Sequence, residues 1–234
     1  ETDATVYCLV RAASRREALS RLRAVLLKWD LWREEFDSRV VAIPGDLRLP
    51  RLGIEEQTYR LLTQEVDAIF HCGTSMNHLE TYAMAKAANV DSAREIVRFA
   101  ACGKPKLVNY VSTLGVFSGS TAGNARTVDE LTSIDHERHS IADGYTASKW
   151  VGEKIFMTAQ ERGVACNIFR LGLVWADAQL GRYDELQREY RLLKTCLLAG
   201  LGIQGYRLAM PPTPVDYVAR ATVFLSKRER PGGG

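Results

Sequence analysis

The sequence predicts an α/β fold: a doubly wound, mostly parallel sheet with helices on both faces. Three observations predict it. Five short apolar runs rich in β-formers alternate with stretches of helical periodicity, the pattern of βαβ units. The small and polar residues that stand out collect at the C-terminal ends of those runs, at Arg11, Asp46, Gly73, Thr113 and Gly172. Open parallel sheets bind their ligands there. A chain of 234 residues is long enough for one such domain with a sizeable core, or for one and a half.

The elements follow in order. Thr5 to Val10 is a short apolar run, a buried strand with Arg11 at its edge. Ser14-Arg15-Arg16-Glu17 has the form of a capping box, and Ala18, Leu22, Val25, Leu26 and Trp29 form a helical stripe behind it. Val40 to Ile43 is the next strand, stopped by Pro44-Gly45 with Asp46-Leu47 beyond. A polar helix over about 54–65 leads into the strand Ala68 to Cys72, which ends at Gly73. One long helix is predicted from Leu79 to Ala101, with Ala83, Ala87, Val90, Ile96 and Val97 inward. Lys106 to Val111 is a strand ending at Ser112-Thr113; a polar loop then runs to about Asp143. A helix carries Tyr145 and Lys149, and Val164 to Phe169 is the fifth strand, with Arg170-Leu171-Gly172 past its end. Helices are predicted over 184–198 and, after Pro214, over 215–225.

The chemistry centres on Gly144 to Trp150. Tyr145 and Lys149 are four apart, so a helix presents both on one face, about one turn from each other. A phenol beside a fixed ammonium is a proton donor for a substrate oxygen, and the ammonium is expected to draw the phenol below its usual pKa of about 10. Tyr-x-x-x-Lys is also a common spacing on ordinary helix faces.

Composition narrows the class. Hydrophobic residues make up 46% and charged residues 25%, and the net charge of +3 is too small to argue for nucleic acid. No apolar run reaches the roughly 18 residues of a membrane span. Cys8, Cys72, Cys102, Cys166 and Cys196 show no C-x-x-C spacing and read as reduced core thiols of a cytoplasmic protein. No metal site is expected, since His136 and His139 lie in a polar stretch without nearby thiols. Both ends read as cut from something longer: a strand begins almost at once, and Pro231-Gly232-Gly233-Gly234 has a linker composition.

With these positions in hand, the chain resembles the extended short-chain dehydrogenase/reductases. More narrowly it is similar to the thioester reductase domains of nonribosomal peptide synthetases, polyketide hybrids and carboxylic acid reductases. Seven stretches in family order carry the resemblance: Val6 to Ala12, Pro44 to Leu47, His71-Cys72-Gly73 with Met76-Asn77-His78, Ala88-Asn89-Val90, Val111 to Val116, Gly144 to Trp150, and Thr213 to Val218.

The resemblance implies roles. Tyr145 would give the proton to a carbonyl oxygen as hydride arrives, Lys149 would tune it and bind the nicotinamide ribose, and Thr113 would hydrogen-bond the same oxygen. Arg11, assisted by Arg21, would accept the 2′-phosphate, making the cofactor NADPH. Arg21 also reads as a solvated helix charge. Asp46 and Leu47 would meet the adenine, Cys72, Gly73 and Thr74 would run beside the cofactor, and the backbone at Gly172 would meet the nicotinamide. Asn89 is expected to be a structural element of the long helix rather than a reactant.

The family begins with a strand and a Gly-rich phosphate-binding turn that this sequence lacks. The expected architecture is therefore an incomplete Rossmann-like core over 1–175, with two sheet edges left exposed, and part of a helical substrate-facing region over 176–234. The implied function is NADPH-dependent release of an acyl or peptidyl thioester, held by a phosphopantetheinyl carrier protein, as an aldehyde; a second round would give the alcohol. Two alternatives remain open on the residues: an extended dehydrogenase acting on a nucleotide sugar or small ketone, and a non-redox cyclising or binding module. The charges over 182–191 read either as a carrier-facing surface or as a solvated helix face.

Overall fold

A computed structural model describes residues 2–77, 79–121, 127–139, 141, 143–205 and 212–227, without the side chains of 118–121 and 139. His78, the side chain of His139, residues 122–126, 140 and 142 of the polar loop, and the Gly-rich tail lie outside the described residues. The chain divides into two compact units, Glu1–Arg170 and Leu171–Gly234.

In the first unit, strand β1 (Val6–Val10) pairs in parallel with β2 (Val40–Pro44), from Val6 opposite Val40 to Val10 opposite Pro44. Strand β3 (Ala68–His71) pairs in parallel with β4 (Leu107–Thr113), and β5 (Cys166–Leu171) lies on the other side of β4. These are two separate sheets, β1-β2 and β3-β4-β5. Among the described residues no strand pairs with β1 away from β2, or with β3 away from β4. Val6 and Phe70, which would be covered in inner strands, are 46% and 44% exposed. One apolar core nevertheless draws on both sheets, from Ile43 in β2 to Val108 and Tyr110 in β4, with Phe99 and Phe156 packed between. The predicted doubly wound parallel architecture is thus present in incomplete form.

The helices begin where sequence chemistry starts them. Helix α1 (Arg15–Lys28) opens on the capping box: Glu17 N donates to Ser14 Oγ at 3.2 Å, and Ala13 N donates to Glu17 Oε2 at 2.9 Å. Its buried face is narrower than predicted. Ala18 is buried and Leu22, Leu26 and Trp29 half-buried, but Val25 is 55% exposed. Helix α2 (Glu56–Glu65) is capped by the carboxylate of Glu55, which accepts from Gln57 N and Thr58 N.

The single long helix is instead α3 (Tyr82–Lys86), a π-helical turn (Ala87–Asp91) and α4 (Ser92–Ala101). It starts at the Thr81 cap, and Leu79 is 92% exposed. The buried positions recur at helical spacing, with Ala85, Asn89, Ser92, Ala93, Ile96 and Ala100 on one face. Ala83, two residues from Ala85 and so about 200° around the helix, is exposed.

Helix α5 (Gly144–Glu161) carries Tyr145 and Lys149 and is capped by Asp143, whose Oδ1 accepts from Thr146 N at 2.9 Å. Gly144 has a positional reason: a Cβ there would run into the backbone of Glu80, Thr81 and Tyr82. The two helix starts are thereby locked together.

In the second unit, β6 (Leu173–Trp175) pairs in parallel with β7 (Pro212–Pro214). Neither short strand was expected, because a Pro-Thr-Pro segment reads as a turn; on a two-stranded ribbon its missing N–H groups can face away from the partner. Helix α6 (Arg188–Ala199) starts later than predicted and has no buried residue, and α7 (Val215–Ser226) closes the unit. Asp216 accepts from Ala178 N at 3.0 Å.

The cysteines also correct an expectation. All five are free, but only Cys166 is buried; Cys72 and Cys102 are exposed because they lie past the end of β3 and at the end of α4. No described helix is long and apolar enough to cross a membrane.

Candidate active site

Helix α5 packs against the C-terminal half of β4, and three adjoining positions set the approach. A Cβ on Gly152 would collide with the Tyr110 hydroxyl, so only glycine lets the helix come this close. Lys149 Nζ donates to Val111 O at 2.6 Å and sits 4.5 Å from the centre of the Tyr110 ring. Ser112 Oγ donates to Glu153 Oε1. Thr113 ends the strand, and its Oγ1 accepts from Gly115 N at 3.1 Å. A hydroxyl that accepts there keeps its own proton to donate. A Cβ on Gly115 would lie 3.3 Å from Thr113 Oγ1 and 3.5 Å from Thr146 Oγ1. Thr113 and the residue beside Tyr145 therefore border the same space.

The site is buried. Lys149 is 3% exposed and Tyr145 9%. Burial lowers the Lys149 ammonium to about 8, with Cys72 and Glu153 pulling the other way. Tyr145 is raised from its ordinary value, first by burial and then by the Asp143 carboxylate. This corrects the expectation of a depressed phenol: desolvation dominates here, and the Lys149 ammonium is turned to the Val111 carbonyl. Beneath Lys149 lie His71, Tyr110 and Phe156, with ring centroids 5.6 Å apart for His71–Tyr110 and 4.5 Å for Tyr110–Phe156. His71 is driven down to about 3 by burial and by Lys149, so this layer is neutral near pH 7.

Asn89, in the π-helical turn, is a structural hub. Its Oδ1 accepts from Thr74 Oγ1 (2.9 Å) and Ser75 N (2.7 Å), and its Nδ2 donates to Ser75 O (2.9 Å) and Ser148 Oγ (2.8 Å). Ser148 Oγ donates on to Tyr145 O at 2.6 Å. One buried amide thus joins the segment after β3 to the turn of α5 that holds Tyr145.

The other predicted positions line the ends of β1, β2 and β3. Arg11 and Arg21 meet there: Arg21 Nη1 donates to Arg11 O, and both side chains are exposed. Arg21 is thus folded back toward the end of β1, with Glu17 3.8 Å from its guanidinium. Asp46 is already engaged by Arg48, through Nε and Nη2 and the backbone N, and that pairing holds its carboxyl down at about 2. A side chain on Gly73 would run into Leu47, so glycine is what lets the chain after β3 pass beside it. Cys72 is exposed next to Gly73, and Thr74 is bound to Asn89. Gly172 belongs to the second unit, as the single residue between β5 and β6.

Sequence reasoning missed Glu153. It is fully buried, accepts from Ser112 on one oxygen and from Arg170 Nε (3.0 Å) and Nη2 (2.9 Å) on the other. The signal was available, because the four-residue spacing of Tyr145 and Lys149 continues to Glu153.

A parallel α/β core with Thr, Tyr and Lys brought to one strand end is the arrangement of the extended short-chain dehydrogenase/reductases. The family model described as "Male sterility protein", of the NAD-binding type, matches residues 1–222, and the chain belongs to this family. It is 35% identical over 230 residues to one of the linear gramicidin synthase proteins of Brevibacillus parabrevis, covering 97% of this chain and 4% of that protein. The crystal structure of the terminal R domain from the myxalamid PKS-NRPS biosynthetic pathway superimposes with a TM-score of 0.91 at 37% identity, over 97% of this chain and 57% of that one. The R domain of a nonribosomal peptide synthetase from Mycobacterium tuberculosis superimposes with a TM-score of 0.73 at 25% identity, again covering 57% of its chain. The chain therefore spans a little over half the length of these R-domain structures.

Proposed function

We propose that the protein carrying this chain is an NADPH-dependent reductase that releases a carrier-bound acyl or peptidyl thioester as an aldehyde, with loss of the carrier thiol. The observation that supports it is the buried Lys149, bonded to the Val111 carbonyl two residues before Thr113 and one helical turn from Tyr145. The likeness to a linear gramicidin synthase and to R domains of peptide synthetase pathways supports the thioester substrate and a phosphopantetheinyl carrier protein as partner. The reading implies a cytoplasmic reaction.

The residues present fit a nicotinamide dinucleotide. The Arg21 guanidinium reaches the Arg11 backbone carbonyl at the end of β1, and both arginine side chains are exposed there, a pair of cations suited to a 2′-phosphate. Glycine at 73 keeps the path beside Leu47 open, with Thr74 next along it. Asp46 is held by Arg48, which leaves Leu47 as the apolar contact for an adenine. Lys149 has two further N–H groups besides the one given to Val111, enough for a ribose. The backbone at Gly172 is assigned to the nicotinamide. NADPH, when bound, supplies the hydride.

The chain's own part is to hold and deliver a proton. Burial keeps the Tyr145 phenol protonated at neutral pH, which is the state a reduction requires: its O–H goes to the carbonyl oxygen as negative charge develops there. Thr113 donates a second hydrogen bond to that oxygen. Lys149, with its pKa near 8, is cationic below that pH and stabilises the phenolate left behind. In the direct test, the full-length protein is given NADPH and an acyl-carrier thioester. Oxidation of NADPH with release of aldehyde is expected; turnover of free ketones or nucleotide sugars with none of the thioester would overturn the reading.

A further inference from the structure

Glu153 has no part in the roles just given, yet it is built into the same corner. It lies one turn beyond Lys149 on α5, its side chain is fully buried, and both of its oxygens are engaged by other elements. Ser112, which donates to Oε1, is the residue immediately before Thr113. Arg170, which holds Oε2, comes from β5 and places its guanidinium 4.9 Å from the centre of the Phe117 ring. Phe117 belongs to the 3₁₀ segment that directly follows Thr113. One carboxylate on the Tyr145 helix therefore grips the chain on both sides of Thr113.

Stability alone does not account for such a group. A buried ion pair is often no better, and can be worse, than well-packed apolar side chains of the same volume. What apolar packing lacks is direction. Hydrogen bonds to both carboxylate oxygens fix how far along and around α5 the end of β4 must sit.

We propose that Glu153 is a positioning residue for the reaction: through Ser112 on one side and Arg170 with Phe117 on the other, it holds the Thr113 hydroxyl in register with the Tyr145 phenol. This rests on the reading of Thr113, Tyr145 and Lys149 as the reducing site. Small displacements matter at such a site, since a shift of about 1 Å can cost on the order of 10² in rate. Glu153 is also the carboxylate facing Lys149, whose other neighbours are Cys72 and His71 past and within β3, the Tyr110 ring and Val111 carbonyl of β4, and Tyr145 on its own helix.

The test uses the full-length protein, NADPH and an acyl-carrier thioester. Ser112→Ala leaves the Glu153–Arg170 pair intact, so the fold is kept. Its kcat is expected to fall about tenfold with KM changed less than about twofold, and its pH profile to stay in place. In a Thr113→Ala background the same Ser112→Ala change should have no further effect, because its route of action is gone. Glu153→Gln should lower kcat further and move the high-pH limb, set by Lys149, to lower pH. A wild-type kcat for Ser112→Ala, or an equal loss with and without Thr113, would overturn the positioning role. The reading beneath it fails separately, if Thr113→Ala and Tyr145→Phe each reduce the thioester as fast as wild type.

Discussion

The two ends of the first unit treat charge in opposite ways. At the end of β4, charge is buried and the polar side chains are tied to the frame: Lys149 to Val111, Glu153 to Ser112 and Arg170, and Asn89 by four hydrogen bonds to Thr74, Ser75 and Ser148. At the end of β1, Arg11 and Arg21 are exposed, and Asp46 has Arg48 as its partner close to solvent. The difference follows from what each end is proposed to do. A proton must be delivered along one line, so its donor has to be held before substrate arrives. A phosphate is a large, doubly charged target that flexible cations can meet from several directions.

Mutations at the two ends should therefore fail differently. The largest effect is expected at Lys149. Lys149→Met should lower kcat by roughly 10² or more. It should also change the pH dependence of stability. Folded Lys149 gives up its proton near pH 8, while an unfolded lysine keeps it to about 10.5. Between those values the unfolded chain binds more protons, so the wild-type fold gains stability as pH rises, by up to about 3 kcal/mol. Urea unfolding of wild type and variant across pH 7 to 11 reads this directly. Equal pH slopes would mean that the ammonium is not desolvated.

Asn89→Leu tests the hub. Loss of its bonds leaves the half-buried Ser75 N and O without their Asn89 partner and takes a donor from the buried Ser148 hydroxyl, and unfolding free energy should fall by about 2–3 kcal/mol. At the open end, Arg11→Ala should leave stability within about 0.5 kcal/mol of wild type. It should instead cut the preference for NADPH over NADH by roughly tenfold in competitive binding. Arg21→Ala should give a smaller loss of the same kind, about two- to threefold, because its guanidinium is already shared with Arg11 O and Glu17. An effect at Arg21 larger than that at Arg11 would reverse the assignment of the leading arginine.

Much of the fold was legible because local chemistry and tertiary structure agree. The capping box at Ser14, the strand ends at Arg11 and Thr113, and the Tyr145–Lys149 face all depend on neighbours in sequence. What was missed depends on neighbours in space. Alanines stand at 83, 85, 87 and 88, and their apolar character alone does not say which of them faces inward, so the inward face of α3 was misjudged at Ala83. The Tyr145 phenol was expected to be lowered by Lys149, but its pKa is set by how deeply β4 and α5 bury it. Glu153 was passed over, because Ser112 and Arg170 reach it only in the folded chain.

The central claim is that Tyr145 delivers the proton while the cofactor is held elsewhere. Its most direct measurement is Tyr145→Phe in the full-length protein, with single-turnover reduction of an acyl-carrier thioester and NADPH affinity measured on the same preparation. Loss of the hydroxyl alone should slow reduction by on the order of 10² or more and leave NADPH affinity within about twofold. Product formation at the wild-type rate would contradict the account.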